Sequence, residues 1–389
     1  MVEPMYKEGG SKNSKVKEVF FLFLWMGFTA FGGPAAHTAI FYDQVVRRRK
    51  WVDDQRFLDL LGATQLIPGP NSTEMCTHLG LLRAGWAGFA LGGIGFILPS
   101  MLMVMGLAYV YTLYGSAPQI AYVLYAVKPV VIAIILSALW SLSKKAIKDV
   151  GTGLLAAAVI ALNILGVDNV FLLLGGGVVF AVAKWLLEHK DLKNLSFSFL
   201  PATFLTISKA TVSEFNFSTL FFSFLKIGSV LYGSGYVLFA FLRSEFVERL
   251  GWLSDQQIID AIAIGQVTPG PISTAATFLG FILGGIRGAL LATLGMFLPS
   301  FILVAATNPL IPRMRASPWF SAFLDGVNAS SLALMAVVVW QLAAAAFVDL
   351  PAVAIGLVST ALVIFTRINT TWIIFAAVMF GLVRFFLGF

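Results

Sequence analysis

The stretch FLDLLGATQLIPGPNST at residues 57–73 decides the fold, because IIDAIAIGQVTPGPIST at residues 258–274 repeats it 201 positions later. The flanking motifs repeat in the same order, with FGGPAAH at 31–37 and FILPS at 96–100 matched by YGSGYVL at 232–238 and FLPS at 297–300. Past the second Pro-Gly-Pro motif the offset falls to 200, and it is still 200 between Trp140 and Trp340. Self-similarity of this length predicts two homologous repeats.

The composition requires a lipid environment for much of the chain. Of the 389 residues, 59% are hydrophobic and 12% are charged, whereas about 25% of the residues in a soluble domain are charged. The mean hydropathy of +0.89 is too high for one core that faces water. The sequence therefore predicts an all-α polytopic membrane protein.

Charge and cysteine content exclude several function classes. The net charge of +7 comes from Lys and Arg clusters between apolar runs, which is typical of cytoplasmic loops and not of a nucleic-acid surface. The single cysteine, Cys76, excludes disulfides within the chain and Cys-based metal clusters, and the three histidines lack HExxH spacing. We therefore expect no metal, no cofactor and no nucleic-acid partner.

Each half contains the same succession of apolar segments: a glycine-interrupted stretch, a stretch broken at Pro-Gly-Pro, and then about four helices. In the first half these lie at 20–46, 53–82, 86–112, 118–143, 150–166 and 168–187, and in the second at 215–247, 255–284, 287–306, 318–342, 350–366 and 369–388. The predicted organisation is a cytoplasmic segment 1–18, a first repeat 19–193, a linker 194–214 and a second repeat 215–389.

The charges of the loops predict that the two halves lie upside down relative to each other. The loop 114–118 has no charge, while its counterpart near 313–315 is basic. The next pair is reversed, because 144–148 is basic and 349–351 contains no base. Since basic loops face the cytoplasm, this pattern predicts the inverted-repeat architecture of many secondary transporters.

The first two segments of each half are predicted to be re-entrant hairpins. The lysine-rich N-terminus, the basic cluster 47–50 and Arg83 all fit the cytoplasmic side, so the chain between them enters the membrane and returns. Four full crossings would then end on the cytoplasmic side near Lys190, yet an inverted second half begins outside. Two alternatives stay open: the linker crosses the membrane, or one of the predicted spans is wrong.

The two Pro-Gly-Pro breaks form the candidate binding site for a small anion. Proline ends a helix because it lacks a donor N–H and clashes with the preceding turn, and residue types that cap a new helix follow each break. The free N–H groups and the positive dipole end of the new helix favour an oxyanion. A structural kink is the alternative for a single break, whereas two breaks in inverted register favour a binding site. The predicted set is Pro68, Gly69, Pro70, Asn71, Ser72 and Thr73, with Pro269, Gly270, Pro271, Ser273 and Thr274, and the aligned Gln65 and Gln266.

Glycines interrupt the first segment of each half and are candidates for the opposing wall of this site. They are Gly32, Gly33, Gly233 and Gly235. Small residues also allow close helix packing, and the two interpretations carry equal weight. His37 and Tyr236 lie just beyond these breaks, and a satisfied interior side chain is the favoured interpretation for each.

Three charged residues inside apolar segments are candidate functional groups. Lys128 aligns with Asn328, and Lys226 aligns with Trp25. Both lysines are candidate counter-charges for a divalent anion, because a lysine at mid-membrane costs roughly 2.5–3.5 kcal/mol on insertion. Snorkelling to an interface is the alternative, and it is weaker for Lys128. Glu74, which follows the first break only, is a candidate proton carrier.

The same motifs resemble a known family. FTAFGGPAAH, the turn RRRKW, FLDLLGATQLIPGPNST, LGLLRAGWAGF and FILPS resemble the N-terminal domain of the chromate ion transporter family, and GQVTPGPISTAATFLG with GFILGGIRGALLATLGMFLPS resembles its C-terminal domain. The match covers nearly the whole chain in the long, two-domain form. The resemblance implies a membrane carrier for chromate, credited with efflux that confers resistance, with sulfate as a structural analogue.

We therefore expect a secondary transporter for a tetrahedral divalent oxyanion in the cell membrane, working by rocking of one repeat against the other. The chain contains no Walker motif, so coupling is expected to a membrane potential or an ion gradient, with protons favoured. Uptake of sulfate or another anion, a passive channel and an intramembrane enzyme are the alternatives. The last lacks a nucleophile–base pair and paired aspartates at catalytic spacing. A monomer and a homodimer both stay open.

Overall fold

Helices make up nearly all of the structure. The computed structural model describes residues 11–115, 117–188, 214–232, 235–308, 311, 314, 317–366, 368 and 370–387. Within these ranges there is no β-strand, which confirms the all-α prediction. Gly233, nearly all of the linker 194–214 and the basic positions 313 and 315 lie outside the described residues.

The helices follow the predicted order in both halves. The first half contains α1 Lys12–Thr29, α2 Gly33–Tyr42 with a π-helix Asp43–Arg48, α3 Asp54–Thr64, α4 Asn71–Tyr114, α5 Pro118–Ala146, α6 Val150–Ile164 and α7 Asn169–Glu188. The second half contains α8 Phe217–Val230, α9 Leu238–Arg243 with a π-helix Ser244–Arg249, α10 Asp255–Val267, a 3-10 turn Ile272–Thr274, α11 Ala275–Thr307, α12 Pro318–Ala346, α13 Leu350–Phe365 and α14 Thr370–Leu387.

Helices α4 and α11 each consist of two antiparallel arms. In α4 the backbone turns at Gly85, whose φ of +67° favours glycine. The arms then lie so close that a Cβ on Gly80 would be 2.1 Å from the carbonyl oxygen of Gly88. Gly285 makes the corresponding turn in α11 with a φ of +60°. We call these segments the short arms, 71–83 and 275–283, and the long arms, 86–114 and 286–307.

Three turns of the first half meet at one level of the molecule. Arg83, at the end of the short arm, donates to Glu18 near the start of α1 at 2.9 Å. Its guanidinium also lies 5.5 Å from the ring of Trp51, in the turn between α2 and α3, and the indole N–H of Trp51 donates to Glu18 at 3.2 Å. Two consecutive hairpins therefore return to the level at which α1 begins.

Aromatic contacts replace this ion pair in the second half. Phe215, just before α8, lies with its ring 5.1 Å from that of Trp252, which follows α9 and its π-helix. A Cβ on Gly284, at the end of the second short arm, would lie 2.7 Å from the ring of Phe217. The start of α8, the turn before α10 and the end of the short arm thus meet as their counterparts do in the first half.

The two sets of turns lie at opposite ends of the long arms. Tyr109 lies about 36 Å along the helix axis from Gly85, at ~1.5 Å per residue. Its ring packs 6.4 Å from that of Phe281, one turn before the end of the second short arm. The first set of turns is therefore at the near end of the first long arm and the second set is at its far end. This arrangement agrees with the predicted inverted repeat.

Six helical segments among the described residues are long and apolar enough to cross a membrane, which confirms the prediction of a polytopic protein. They are 71–114, 121–146, 169–187, 272–307, 318–346 and 370–387, of which 71–114 and 272–307 each include a short arm as well as a long arm. The predicted spans 150–166 and 350–366 are shorter in the structure, at 15 and 16 residues. At ~1.5 Å per residue they are shorter than a hydrocarbon core of about 30 Å.

The two halves exchange helices. Helix α5 of the first half packs against α13 and α14 of the second, and α12 of the second packs against α6 and α7 of the first. Glycines allow these approaches, since a Cβ on Gly326 would lie 2.7 Å from the carbonyl oxygen of Gly176. We call α5–α7 with α12–α14 the helix layer. The hairpin layer consists of α1–α4 with α8–α11, where α1 packs on α4, α8 on α11, and α4 on α11.

Candidate anion-binding site

Both Pro-Gly-Pro motifs break their helices as predicted. The first break separates α3 from α4, and the second separates α10 from the 3-10 turn before α11. Gly69 and Gly270 have φ angles of +147° and +93°, a backbone conformation that favours glycine. Capping differs from the expectation, because Pro70 and Pro271 occupy the N-cap positions and make no side-chain cap hydrogen bond. The polar residues after each break therefore lie inside the first turn.

Each break is tied to the opposite half by a backbone hydrogen bond. The N–H of Gly69 donates to the carbonyl of Leu231 at 2.7 Å, and the N–H of Gly270 donates to the carbonyl of Ala30 at 2.9 Å. Leu231 and Ala30 directly precede the glycine breaks of their own halves. Four broken segments therefore converge in the hairpin layer, two from each repeat.

His37 connects the first glycine break to the first Pro-Gly-Pro break. Its Nε2 lies 3.1 Å from the carbonyl oxygen of Ala30, and its Nδ1 lies 2.9 Å from the Oγ of Ser72. A carbonyl only accepts, so Nε2 carries the proton and the Ser72 hydroxyl donates to Nδ1. His37 is thus a satisfied interior side chain, and the Ser72 hydroxyl proton is committed to it.

Two serines that sequence analysis passed over touch the opposite breaks. Thr274 donates to the carbonyl of Pro271 at 2.8 Å, so Ser100 on the first long arm donates to Thr274 at 2.9 Å. Ser300 on the second long arm donates to Oε1 of Glu74 at 3.3 Å. Both serines are buried. The signal that could have found them is the repetition of the motifs FILPS and FLPS, in which these serines are the last residues.

Three buried polar atoms beside the breaks have no hydrogen-bond partner among the residues that the structure describes. They are Oε2 of Glu74, Oγ1 of Thr73 and Nε2 of Gln266. Glu74 and Thr73 are fully buried, and Gln266 is 6% exposed. An unpaired buried polar group costs about 1–3 kcal/mol, and most such groups in proteins are paired. The breaks therefore carry hydrogen-bonding capacity that a ligand or a proton could use.

The glycine breaks adjoin the second Pro-Gly-Pro break. Gly32 and Gly33 have φ angles of +104° and +77°. A Cβ on Gly33 would lie 3.5 Å from the hydroxyl oxygen of Tyr236 and 3.6 Å from Cδ1 of Ile272. A Cβ on Gly235 would lie 4.0 Å from Cβ of Ile272. The geometry is consistent with the opposing wall expected from the sequence.

Comparison with known proteins identifies the family. Residues 17–181 and 218–382 each match the family described as chromate transporter. The chain belongs to the chromate transporter family. It is 33% identical to a probable chromate transport protein of Synechococcus elongatus over 88% of both chains. It is 30% identical to a chromate transport protein of Cupriavidus metallidurans over 95% of this chain and 93% of the relative, and 31% identical to one of Pseudomonas aeruginosa over 87% and 84%. No solved structure matches.

The two candidate counter-charge lysines of this chromate transporter family member lie against carboxylates. Lys128 has its Nζ 3.7 Å from Oδ1 of Asp260. Lys226 has its Nζ 3.3 Å from Oε2 of Glu245 and 3.9 Å from Oδ2 of Asp168, and it borders an open groove of about 910 Å³. The structure thus gives both candidate counter-charges acidic partners of their own, and among the described residues no direct contact joins either lysine to a Pro-Gly-Pro break.

The two breaks of the transporter differ in exposure. At aligned positions, Gln65 and Ser72 are exposed or partly exposed whereas Gln266 and Ser273 are buried, and Thr73 and Thr274 are both buried. Gln65 and Ser72 of the first break are therefore more exposed than Gln266 and Ser273 of the second. Over the described part of the chain, no group of three His, Cys, Asp or Glu side chains is placed to hold a metal ion.

Proposed function

We propose that this protein carries chromate out of the cell across the cell membrane by alternating access. The observation that carries the proposal is the reciprocal bonding of the two breaks, Gly69 to Leu231 and Gly270 to Ala30. Broken helices within a membrane are tolerated where they line a cavity or are buried in protein, and carriers with inverted repeats bind substrate at the repeat interface. The names of the relatives supply chromate as the substrate.

The substrate is held by the starts of helices and by buried polar side chains. The N-terminal end of α4 begins at the first break, and the 3-10 turn that leads into α11 begins at the second. The positive ends of helix dipoles favour an oxyanion. Oγ1 of Thr73 and Nε2 of Gln266, which have no hydrogen-bond partner in the described part of the chain, donate to oxygens of the tetrahedral dianion. Lys128 and Lys226 attract the anion from a distance and do not bind it directly. The attraction is weak, because the carboxylate beside each lysine offsets much of its charge.

Glu74 couples the anion to a proton. Its side chain is buried, with Oε1 accepting from Ser300 and Oε2 without a partner. An ionised carboxylate repels a dianion at close range, so chromate binds the form in which Oε2 carries a proton. A dianion that leaves with one proton takes one net negative charge outward. An inside-negative potential favours that step by about 2.3 kcal/mol per 100 mV.

Access alternates by movement of the hairpin layer against the helix layer. Sequence analysis placed the moving boundary between the two repeats. The exchanged helices, α5 on α13 and α14 and α12 on α6 and α7, instead favour a boundary between the layers, because separating the repeats would break the packing of both.

Purified protein in liposomes tests the proposal. Vesicles are loaded with radiolabelled chromate, and a potential of either sign is imposed with a potassium gradient and valinomycin. We expect efflux that is faster when the loaded side is negative and that unlabelled sulfate slows. The absence of chromate flux at every imposed potential and pH gradient would contradict the proposal.

The substitution Glu74→Gln tests the proton step separately. We expect chromate flux through this variant to lose its dependence on an imposed pH gradient, since the amide keeps the shape and cannot exchange the proton. Glu248→Gln is the matched control, because Glu248 is half exposed and lies on the π-helix after α9, where it pairs with Arg243. If Glu74→Gln keeps the wild-type response to pH, Glu74 is not the proton carrier.

A further inference from the structure

The two hairpins that carry the Pro-Gly-Pro breaks are packed differently. Helix α10 packs against α5, α12 and α14 of the helix layer, and Ile258, Ile259 and Ile262 on it are buried. Helix α3, its counterpart, packs mainly against α4 within the hairpin layer, and its Leu58 is 56% exposed. Over the described residues, the second hairpin is therefore docked more extensively on the helix layer than the first.

An ionic contact lies in the docked interface. Asp260 on α10 is 1% exposed, and its Oδ2 accepts from the hydroxyl of Tyr111 on the first long arm at 2.8 Å. Its Oδ1 lies 3.7 Å from Nζ of Lys128 on α5 and accepts from Gln256 at 3.1 Å. The carboxylate thus joins α10 to one helix of each layer. Removing one partner of such a buried pair is strongly destabilising for the contact.

The first half has a counterpart of this carboxylate, but the second half has no counterpart of Lys128 or Tyr111 in its sequence. Asp59 on α3 corresponds to Asp260, and Gln55 corresponds to Gln256. In place of Lys128 the other repeat has Asn328, and in place of Tyr111 it has Ile311. An amide and an alkyl group supply neither the charge of a lysine nor the hydroxyl of a tyrosine. The equivalent interface in the first half would therefore form a weaker contact.

We propose that Lys128, Asp260 and Tyr111 form a latch that holds the second hairpin against the helix layer and so seals the second break. In the opposite state α3 docks on the helix layer, the latch opens and the second break becomes accessible. The unequal partners in the two repeats bias the resting protein towards the state in which the first break is open. The effect of the latch on chromate flux rests on the proposed carrier function, whereas its effect on accessibility does not.

Cysteine accessibility tests the latch without any substrate. In a Cys76→Ala background, Gln65→Cys and Gln266→Cys report on the first and second breaks through their rates of reaction with a maleimide in proteoliposomes. We expect Gln65→Cys to react quickly and Gln266→Cys slowly. Adding Lys128→Asn, which gives the first repeat the residue of the second, is expected to speed the reaction of Gln266→Cys about tenfold or more.

The reverse substitution tests the same idea by adding a contact. Asn328→Lys offers Asp59 the partner that Asp260 already has, so it is expected to slow the reaction of Gln65→Cys severalfold. It remains informative if Lys128→Asn fails to fold, because it removes no existing ion pair. Gel filtration and thermal unfolding in detergent identify variants that are not folded.

Lys226→Asn is the matched control. This lysine also lies in an apolar helix against an acid, Glu245, but α8 is not part of the docked interface, so we expect no change at either cysteine. An unchanged rate at Gln266→Cys in folded Lys128→Asn, or an unchanged rate at Gln65→Cys in Asn328→Lys, overturns the latch. Chromate flux in liposomes is measured independently, so the carrier function and the latch can fail separately.

Discussion

The first and second Pro-Gly-Pro breaks share a backbone frame and differ in chemistry. Each glycine N–H bonds a carbonyl of the opposite half. At the first break Ser300 meets the carboxyl group of Glu74, whereas at the second Ser100 meets the hydroxyl of Thr274. Gln65 and Ser72 at the first break are also more exposed than Gln266 and Ser273 at the second. Duplication has thus preserved the frame, and a few side-chain differences give the two copies different properties.

Of the two Pro-Gly-Pro glycines, Gly69 has the closer neighbours, so the addition of a methyl group there is expected to have the largest effect on transport and stability. Its Cβ would lie 2.0 Å from Oγ of Ser300 and 2.3 Å from Oε1 of Glu74, at a φ of +147°. Backbone strain of this kind costs about 1–3 kcal/mol, and overpacking costs about 1–3 kcal/mol more. We expect Gly69→Ala to abolish transport and to lower the unfolding temperature, as measured by flux per folded carrier and by thermal unfolding in detergent.

Gly85→Ala is the matched control for that substitution. Gly85 also has a positive φ, of +67°, but a Cβ there would meet no atom within 4 Å. It therefore reports the backbone strain without the collision. Equal damage from the two substitutions would show that the close approach of the break to the second long arm does not matter.

The two serines that contact the breaks separate the charged copy from the neutral one. While Glu74 is ionised, the hydrogen bond from Ser300 contributes about 1.5–3 kcal/mol, against about 0.5–1.5 kcal/mol for the neutral pair of Ser100 and Thr274. We expect Ser300→Ala to reduce chromate flux more than Ser100→Ala does, and to shift the pH dependence of flux through Glu74. Ser100→Ala is expected to leave the pH dependence unchanged. Identical pH profiles in the two variants would remove the distinction between the breaks.

The parts of the fold that depend on residues close together in the sequence could be predicted. Proline and glycine act on their own turn, so the breaks at 68–70 and 269–271 could be placed from the sequence. Loop charge also predicted that the first hairpins return to their starting level, and Arg83, Glu18 and Trp51 meet there. The local rule failed at the caps, because the second proline of each motif takes the N-cap position from the polar residues.

Contacts between the repeats could not be predicted. The offset shows which residues correspond, but not which residues touch, so the bond from Gly69 to Leu231 has no signal in the sequence. The same limit applies to Lys128, because the sequence did not indicate Asp260 as its partner. It also applies to the exchange of helices between the halves, since each helix is apolar enough to pack on several neighbours.

The smallest expected difference between the halves concerns the caps of the two short helices α6 and α13. Asp149 begins α6 in a capping box with Thr152, accepting its N–H at 2.8 Å. Asp349 begins α13 by accepting the N–H of Ala352 at 2.8 Å and the hydroxyl of Tyr125 at 2.5 Å. Both helices therefore begin at an aspartate N-cap, but the side chain that bonds the cap is Thr152 for Asp149 and Tyr125 for Asp349.

The cap at Asp149 has a pH dependence whose direction follows from its hydrogen bonds. The bonds from Thr152 hold the pKa of Asp149 below its usual value, so the ionised cap stabilises the fold above the pKa of the unfolded chain. That stabilisation is lost as the pH falls through the lower pKa of the folded protein. Asp149→Ala is expected to lower the free energy of unfolding by about 1 kcal/mol at neutral pH, with the charge-dependent part reduced by solvent screening.

Asp149→Asn keeps an N-cap without a charge. Its unfolding temperature in detergent should therefore fall less than that of the wild type between about pH 6 and about pH 3, and an equal fall in both proteins would mean that the charge of Asp149 contributes nothing.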